Sequence, residues 1–231
     1  HALHGGLMPR STAAEWMDDA AATQPDFEAA LRDLARINRM SLARRPVLRW
    51  LDALVAATGR RHLSILDVGA GGGDLLVAVA AWGARRGVSL SLVGLDRSPW
   101  AASHAAAQGV PARWITQDLF ALDPEERFDV VLCSLFAHHL TDAELVRFLR
   151  WMEARADLGW LISDLHRHKL PWGFVWLGVR ALRMHPMVVH DSTISIARGF
   201  TRADWRHLLG EAGLRARIRW TFPFRWLVSR A

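Results

Sequence analysis

The stretch that decides the fold runs from Ile65 to Leu75 and reads I-L-D-V-G-A-G-G-G-D-L. Ile65 to Val68 is a short apolar segment around one aspartate, and it predicts a buried strand. After the glycines, Leu75 to Trp82 is apolar and compatible with a helix. The pattern therefore predicts a strand, a glycine loop and a helix. Such a loop lets the backbone approach a ligand closely, and the unpaired N–H groups of the helix face that ligand.

The spacing of the glycines distinguishes between kinds of ligand. A dinucleotide fingerprint needs G-x-G-x-x-G, but counting from Gly69 places Asp74 where the third glycine should stand. A phosphate-binding P-loop ends in Gly-Lys-Ser/Thr, and the sequence has no such ending here. The pattern that fits is D-x-G-x-G-x-G, with Asp67, Gly69, Gly71 and Gly73. An acidic residue at the end of the strand suits a cationic ligand, such as an amino-acid ammonium group, better than a pyrophosphate.

This pattern resembles the first motif of the class I S-adenosylmethionine-dependent methyltransferases, and later segments continue the resemblance in order. Val88 to Leu95 is similar to the family's second strand, and Asp96 stands where the family's acidic residue holds both ribose hydroxyls. Trp114 to Leu119 resembles the third strand, with Asp118 in the place of the aspartate that reads the adenine amino group. Phe128 to Leu140 is similar to the fourth strand and following loop of the small-molecule branch, the ubiquinone and natural-product type.

The resemblance covers about residues 60 to 170 and implies a cofactor. The methyl donor is S-adenosyl-L-methionine (SAM), and S-adenosyl-L-homocysteine (SAH) is the product. Four motifs in order are more specific than one glycine loop, which is also found in other doubly wound domains. No metal ligand is assigned. The residues implied to bind the cofactor are Asp67, Gly69, Gly71, Gly73, Asp96, Arg97, Asp118, Leu119 and Ser134.

Strands and helices alternate along the chain with short connections, which predicts a parallel sheet wound on both faces, with the ligand at the carboxyl ends of its strands. The fold class is therefore α/β, a doubly wound, mostly parallel, seven-stranded sheet, and the resemblance implies a final antiparallel pair. Ser98 and Thr141 are predicted helix caps. Thr201 caps a further helix, which Gly210 and Gly213 are expected to end. The other predicted strands are Val110 to Ile115, Trp160 to Ser163, Leu214 to Trp220 and Phe224 to Val228.

Three segments are expected along the chain. Residues 1–23 are a disordered or tag-derived N-terminus, since no apolar core of a signal peptide follows them. Residues 24–58 show apolar spacings of three and four and form an N-terminal helical cap. Residues 59–231 form the methyltransferase domain, with a lid insertion at about 168–198 before the last two strands.

The insertion contains an apolar segment with several large aromatic residues, Leu170 to Val189. We predict that it is a lid that lines a hydrophobic substrate pocket. The alternatives are a surface that touches lipid and an ordinary helix packed on the sheet.

The composition limits the class of protein. At 231 residues the chain forms one domain, or one domain with a small cap. The net charge of +6 comes from dispersed arginines, so we attribute it to composition and expect no nucleic-acid partner. Cys133 is the only cysteine, which fits a reducing cytoplasm, and its apolar strand predicts a core position. The absence of tyrosine excludes a catalytic tyrosine.

The histidines are the candidate bases. Methyl transfer requires donor and nucleophile to be held in line, and a hydroxyl nucleophile must also lose its proton. Histidine is suited to accept the proton of a phenol at neutral pH. We rank His139 first, then His190, then His138. In the family that the sequence resembles, a histidine at the position of His139 often shapes the site without acting as the base. Three sets lie in loops expected at the ligand edge: His138 with His139, His166 with His168, and His190 with Asp191.

We therefore predict methyl transfer from SAM to a small, hydrophobic, aromatic acceptor, with O-methylation of a phenol or quinol first and C-methylation of a quinone or polyketide-type substrate second. Amino-group methylation of adenine or glutamine is disfavoured, because Cys133 to Phe136 replaces the Asn/Asp-Pro-Pro-aromatic motif of those families. Cytosine C5 methylation needs a Pro-Cys context, which Cys133 lacks. The hypothesis of RNA methylation is supported only by the positive net charge of the chain. The alternative of another class is a non-catalytic scaffold that binds SAM, and a monomer or homodimer is expected.

Overall fold

The structure, a computed structural model, describes residues 10–18, 22–40 and 42–231. Seven strands form one sheet: β1 (His62–Val68), β2 (Ser89–Asp96), β3 (Arg113–Thr116), β4 (Phe128–Ser134), β5 (Ala156–Leu165), β6 (Arg217–Thr221) and β7 (Arg225–Arg230). Their order is β3-β2-β1-β4-β5-β7-β6. β1 to β5 run parallel to their neighbours, and β7 is antiparallel to β5 and β6. The predicted class, a doubly wound α/β fold with a final antiparallel pair, is confirmed.

Helices cover both faces of the sheet. α3 packs against β2 on one face, and α5 packs against α8 on the other. Parallel strands that are buried on both faces need nearly continuous apolar sequence, and β4 meets this condition. The eight α-helices of the described residues are α1 (Gln24–Met40), α2 (Arg45–Thr58), α3 (Asp74–Arg86), α4 (Pro99–Ala107), α5 (Asp142–Arg155), α6 (Lys169–Ala181), α7 (Pro186–Arg198) and α8 (Arg202–Ala212).

Two clusters of buried side chains fill the space between the sheet and these helices. The cluster under α5 and α8 includes Phe148 and Trp205, and the cluster under α2 and α3 includes Leu51 and Leu76. Burying one such side chain contributes about 1.5–3 kcal/mol. Cys133 belongs to the first cluster and is 1% exposed, which confirms its predicted place in the core. These layers hold the strand ends that carry the site.

Side-chain caps start the helices where the sequence predicts them. The Oγ of Ser98 accepts a hydrogen bond from the N–H of Trp100, and α4 begins there. Thr141 and Glu144 form a capping box at the start of α5. Each cap contributes about 1 kcal/mol. Because these helices follow β2 and β4, the caps also fix the direction in which the chain leaves the sheet.

Several predicted boundaries differ from the structure: β3 begins at Arg113 and not at Val110, and β6 begins at Arg217 and not at Leu214. β5 begins at Ala156 and not at Trp160, and α8 runs through Gly210 to end before Gly213. Gly210 was wrongly predicted to help end the helix. The buried side chain of Ala212 holds the last turn in the core, and only Gly213 adopts the left-handed conformation, with φ 72°.

The predicted lid segment forms two helices, α6 and α7. The chain turns between them at Arg183, whose φ is 48°, and Pro186 lies in the first turn of α7. Both helices share a small core with α1 that includes Ala30, Val179 and Met187. None of the helices in the described part of the chain combines the length and the apolarity that crossing a bilayer requires.

Residues 10–18 depart from the expectation of a disordered or tag-derived N-terminus over 1–23. Arg10 donates from Nη2 to the carbonyl of His138 at 2.9 Å, and Glu15 is 4% exposed. Because these contacts join distant parts of the chain, no local pattern in the sequence predicts them. The parts of that segment outside the described residues are 1–9 and 19–21.

Candidate active site

The loop after β1 brings backbone N–H groups to the carboxyl edge of the sheet. Gly69 and Gly71 have φ of 67° and 53°, in the region that favours glycine. A side chain at Gly69 would overlap the ring of Phe136, so this position requires a glycine. The N–H of Gly71 donates to Oδ2 of Asp96 at 2.9 Å, which ties the loop to the end of β2.

A cavity of about 870 Å³ opens at this edge of the sheet, between the strand ends and the helices α1 and α7. Its volume lies in the range of pockets that bind small molecules or cofactors. Eight of the nine residues predicted to bind the cofactor line its wall, and the sequence motifs therefore converge on one space. They are Asp67, Gly69, Gly71, Asp96, Arg97, Asp118, Leu119 and Ser134.

The ninth residue, Gly73, lies behind the loop and not on the cavity wall. It precedes α3 with φ 78°, and a side chain there would press on Val110 and Trp114. Its glycine is required by the start of the helix and by this close packing. The structure thus gives a packing reason for the glycine, and the contact of Gly73 with the cofactor stays a prediction.

Two buried carboxylates lie at the ends of neighbouring strands. Asp67, at the end of β1, is 2% exposed, and burial together with the charges of Asp74 and Asp96 raises its pKa well above the usual value. Burial also raises the pKa of Asp96, whose Oδ1 accepts from the N–H of Ser98 at 2.8 Å. A cation or a set of hydrogen-bond donors in the cavity would offset the cost of ionising them.

The third carboxylate of this edge follows β3. Asp118 accepts a hydrogen bond from the N–H of Phe120 at Oδ1, at 2.8 Å, and starts a short 3-10 turn over Leu119–Ala121. Asp67, Asp96 and Asp118 thus form a row of hydrogen-bond acceptors along the ends of β1, β2 and β3. Such a row matches an elongated ligand that carries an ammonium group, hydroxyls and an amino group.

A second group of polar side chains lies on the other side of the cavity. Nδ1 of His138 is 2.7 Å from Oδ1 of Asp164, and its Nε2 is 3.5 Å from Oε1 of Glu15. All three residues are buried. Burial lowers the pKa of His138, but the two carboxylates outweigh it and raise the pKa to about 9. His138 is therefore an imidazolium at neutral pH.

Two arginines hold the backbone of this turn. Arg10 donates to the carbonyls of His138 and Leu140, at 2.9 and 2.6 Å. Arg198 donates to the carbonyls of His138 and His139, at 2.9 and 2.6 Å. Both arginines lie far from the turn in sequence, one in the N-terminal segment and one at the end of α7. They fix the direction of the two histidine side chains.

His139 lies on the cavity wall, with 22% of its side chain exposed. Its Nε2 is 3.7 Å from Oε2 of Glu15, so one carboxylate contacts both histidines. Burial raises the pKa of Glu15, but His138 and His139 outweigh this effect and hold the pKa below its usual value. The group can accept a proton at His139 and stabilise the resulting charge with Glu15.

His190 does not join this group. Its ring stacks on Trp16 with 3.8 Å between centroids, and its Nδ1 is 2.7 Å from Oδ1 of Asp191. Asp191 also accepts the N–H groups of Trp16 and Met17, at 2.7 and 3.0 Å. The pair fastens the N-terminal segment to α7, and the role of His190 as a base stays a prediction.

The second pair of candidate histidines also lies elsewhere. His166 and His168 pack on Phe224, with ring centroids 6.1 and 5.9 Å apart. Neither lies on the wall of the cavity in the described part of the chain. Their place after β5 led to the expectation that they face the ligand, but the turn before β7 covers them.

Three residues of the site were not predicted from the sequence. Glu15 lies in a segment with no regular pattern, and Asp164 and Arg225 lie in strands that read as apolar. Asp164 had one usable signal, since a carboxyl group at the end of a parallel strand lies on the ligand edge. Glu15 and Arg225 had none, because only the folded chain brings them to the cavity.

The same histidine group has the composition of a metal site. One ligand atom from each of Glu15, His138 and His139 lies within 4.8 Å of the others. No metal ligand was assigned from the sequence. The imidazolium of His138 already places a positive charge between Glu15 and Asp164, which opposes the binding of a cation.

Comparison with known proteins extends these observations. Residues 65–156 match a family described as a methyltransferase domain. The ubiquinone biosynthesis O-methyltransferase of Paracidovorax citrulli is 32% identical over 173 residues, covering 72% of this chain and 67% of that protein. The protein of the same name from Pseudomonas entomophila is 28% identical over 171 residues, covering 72% and 68%.

Solved structures of methyltransferases share the fold. The magnesium protoporphyrin IX methyltransferase of Synechocystis PCC 6803 with bound SAH has a TM-score of 0.54 at 19% identity, covering 81% of this chain and 83% of that chain. The plantazolicin methyltransferase BpumL in complex with SAH has a TM-score of 0.64 at 14% identity, covering 90% and 96%. The sheet order, the glycine loop and the 32% identity show that the chain belongs to the class I S-adenosylmethionine-dependent methyltransferases.

Proposed function

We propose that this methyltransferase methylates the hydroxyl oxygen of a small, hydrophobic, aromatic acceptor, a phenol or a quinol. The observation that carries the proposal is His139, which lies on the cavity wall beside the glycine loop, 3.7 Å from the buried carboxylate of Glu15. The similarity to ubiquinone biosynthesis O-methyltransferases supports an aromatic hydroxyl as the acceptor group.

The residues of the β1 to β3 edge hold the cofactor, and their chemistry fits it. Asp67 attracts the ammonium group, Asp96 accepts from the ribose hydroxyls, and Asp118 accepts from the adenine amino group. Gly69 and Gly71 carry no side chain that would fill this space. Arg97, Leu119 and Ser134 complete this part of the wall. When bound, SAM supplies an electrophilic methyl group, and SAH remains after transfer.

His139 accepts the proton of the acceptor hydroxyl at Nε2. His138 cannot take this role at neutral pH, because Asp164 and Glu15 raise its pKa to about 9 despite its burial, and it is already protonated. Glu15 stabilises the imidazolium that His139 becomes, since its Oε2 lies next to that ring. His138 is a positioning residue: it holds Glu15 on one side and is held by Asp164 on the other.

Apolar side chains of α6 and α7 form the wall near the histidines. Val175, Val188 and Ile196 line the cavity there. A phenol ring packed on these residues presents its hydroxyl to His139, and the two helices act as the lid. Removing the phenol proton also makes the ring carbons more nucleophilic, so the same residues would serve C-methylation, and the position of the methyl group in the product distinguishes the two.

Calorimetric titration with SAM and SAH, followed by assays of phenols and quinols with methyl-labelled SAM, tests this function. His139→Ala should keep its affinity for SAH and lose turnover by about 100-fold or more, the usual contribution of a general base. His207→Ala is the matched control, because His207 is exposed on α8 and lies off the cavity wall. Full turnover in His139→Ala would reject the assigned base, and failure of the wild type to bind SAH would reject the function.

We also propose that α6 and the two residues that follow it contact the surface of a membrane without crossing it. Trp176, Leu177 and Leu182 expose 42%, 62% and 43% of their surface, with Arg180 and Arg183 between or beside them. Large exposed apolar residues with basic neighbours are typical of helices that lie in the lipid interface. Leu177→Ser should reduce sedimentation with vesicles of phosphatidylglycerol. The control is Val77→Ser on α3, exposed by 44%, and equal binding by all three proteins contradicts the contact.

A further inference from the structure

A buried arginine, Arg225, lies on the cavity wall without a compensating charge. It begins β7 opposite Leu165 of β5 and is 4% exposed. Its Nη2 donates to Oδ1 of Asn38 at 3.3 Å, a long contact, and its Nη1 has no hydrogen-bond partner. Among the described residues, no carboxylate forms an ion pair with this guanidinium.

The neighbouring carboxylates are committed to other partners. Asp164 attracts Arg225, but its Oδ1 lies 2.7 Å from Nδ1 of His138, whose charge it balances. Asp74 forms an ion pair with Arg44 at 2.8 Å. Burial outweighs the attraction of both carboxylates and lowers the pKa of Arg225 to about 10. The guanidinium remains charged at neutral pH and lacks a counter-ion of its own.

A buried charge without a partner destabilises a fold, because the charge loses its hydration and no opposite charge replaces it. Natural proteins keep such groups at sites where a ligand completes the pairing. A guanidinium offers two parallel N–H donors that match the two oxygens of a carboxylate. The unpaired Nη1 and the weakly held Nη2 of Arg225 are the donors of such a pair.

We propose that Arg225 binds a carboxylate of the acceptor, so that the substrates are hydroxylated aromatic acids and not neutral phenols. The inference rests on the proposed function and restricts the class of acceptor to molecules that carry a carboxylate. Arg225 of β7 lies opposite Leu165 at the end of β5 and is attracted by Asp164, the carboxylate that contacts His138, whereas Asp96 and Asp118 lie across the sheet at β2 and β3. The carboxylate site is therefore on the side of the candidate base.

The contact between Arg225 and Asn38 is the one that the ligand replaces. At 3.3 Å it is longer than a charge-assisted bond, and a carboxylate oxygen in its place gives a shorter and stronger one. A turn of the guanidinium about its last torsion then brings Nη1 to the second oxygen. The methionine carboxylate of the cofactor has the same chemistry, so the test must separate the two sources.

The first arm of the test examines the cofactor. SAH and its decarboxylated analogue, S-adenosyl-3-thiopropylamine, are titrated by calorimetry into the wild type and Arg225→Met. With the acceptor as the source, the substitution leaves the ratio of the two affinities unchanged. A loss of SAH affinity in the variant, with the analogue unaffected, would assign Arg225 to the cofactor and overturn the acceptor assignment.

The second arm examines the acceptor. 3,4-Dihydroxybenzoate and catechol are titrated into protein saturated with SAH. The wild type should bind dihydroxybenzoate about tenfold or more tightly than catechol, the effect of a charge-assisted pair. Arg225→Met should remove the preference, and Arg225→Lys should retain part of it. Equal affinities in the wild type, or no binding of dihydroxybenzoate, would overturn the inference while SAH binding still supports the proposed function.

A matched control is Arg219→Met, which removes one charge from an exposed position on β6. Arg219→Met should leave the affinities measured in both sets of titrations unchanged. Thermal unfolding verifies that Arg225→Met is folded, and we expect an equal or higher melting temperature because the variant loses an uncompensated buried charge. SAH binding by the wild type is read separately, and its absence would reject the methyltransferase mechanism on independent grounds.

Discussion

The two halves of the cavity are built in different ways. The cofactor half consists of short segments that directly follow β1, β2 and β3, with Asp67, Asp96 and Asp118 in corresponding places. The acceptor half draws Glu15 from the N-terminal segment and His138 from the loop after β4, and it takes further residues from β5, α7 and β7. A loop with a fixed backbone geometry can be recognised from contiguous residues in the sequence. A group of side chains that come from distant segments cannot.

The halves also differ in how their charges are balanced. In the cofactor half, burial raises the pKa of Asp67 and Asp96, and the attraction of Arg97 and His139 does not outweigh it at Asp96. In the acceptor half, burial acts in the same direction on Glu15 and Asp164, but His138 outweighs it and their pKa values are lowered. We expect a bound ligand to balance the charges of the first half, while most of the second half is balanced within the protein.

The largest expected effect is in the cofactor half, where Gly71→Val should abolish SAH binding. Gly71 lies on the cavity wall with φ 53°, so a β-branched residue both strains the loop and fills ligand space. Gly59→Val is the matched control, because Gly59 has φ 67° and open surroundings at the end of α2. Calorimetry should show loss of binding only in Gly71→Val, and binding retained there would reject the loop as the cofactor site.

Asp96→Ala should weaken SAH binding by about 1.5–3 kcal/mol, roughly 10- to 150-fold, the range for hydrogen bonds to a charged group. Because Asp96 also accepts the N–H groups of Gly71 and Ser98, the melting temperature is measured on the same samples. Asp157→Ala, which removes an exposed ion pair with Arg127, is the control. If Asp96→Ala binds SAH as tightly as the wild type, then the ribose hydroxyls do not bind at the end of β2.

The contrast explains what could be predicted from the sequence. The fold class, the caps at Ser98 and Thr141 and the predicted cofactor edge follow from periodicity, turn chemistry and one resemblance, because each depends on contiguous residues. Gly210 was misjudged because burial of Ala212 overrides the low helix propensity of glycine.

The acceptor half lay beyond such reasoning. Glu15 was assigned to a disordered segment because its contacts with His138 and Ser195 join parts of the chain that are far apart in sequence. His190 was ranked above His138 because an adjacent aspartate reads as an oriented base. In the folded chain, that aspartate binds the N-terminal segment, and Asp164 orients the other histidine.

Glu15→Gln should lower kcat about tenfold and leave SAH affinity unchanged. Glutamine keeps an oxygen to accept the hydrogen bond from Oγ of Ser195, which is 2.7 Å long, but it lacks the charge that stabilises protonated His139. Glu125→Gln, at an exposed position, is the control. An equal loss of SAH affinity would show that the two halves do not act separately.

The smallest expected effect is a pH dependence of stability that belongs to the acceptor half. Burial lowers the pKa of His138, but Asp164 and Glu15 raise it from 6.5 to about 9. Because the folded state binds this proton more tightly, the stabilisation is complete below pH 6.5 and is lost as the pH rises through about 9. The melting temperature of the wild type should therefore fall over this interval, by about 2–4 °C for each kcal/mol lost.

His138→Gln should have a lower melting temperature throughout, since Glu15 and Asp164 lose their cation, but the fall between pH 6.5 and 9 should be flattened. The matched control is His207→Gln at an exposed position on α8, which should keep the slope of the wild type. If His138→Gln also keeps that slope, then His138 is not the cation that balances the two carboxylates. The acceptor half would then resemble the cofactor half in drawing its balance from a ligand, and His138 would become available as the base.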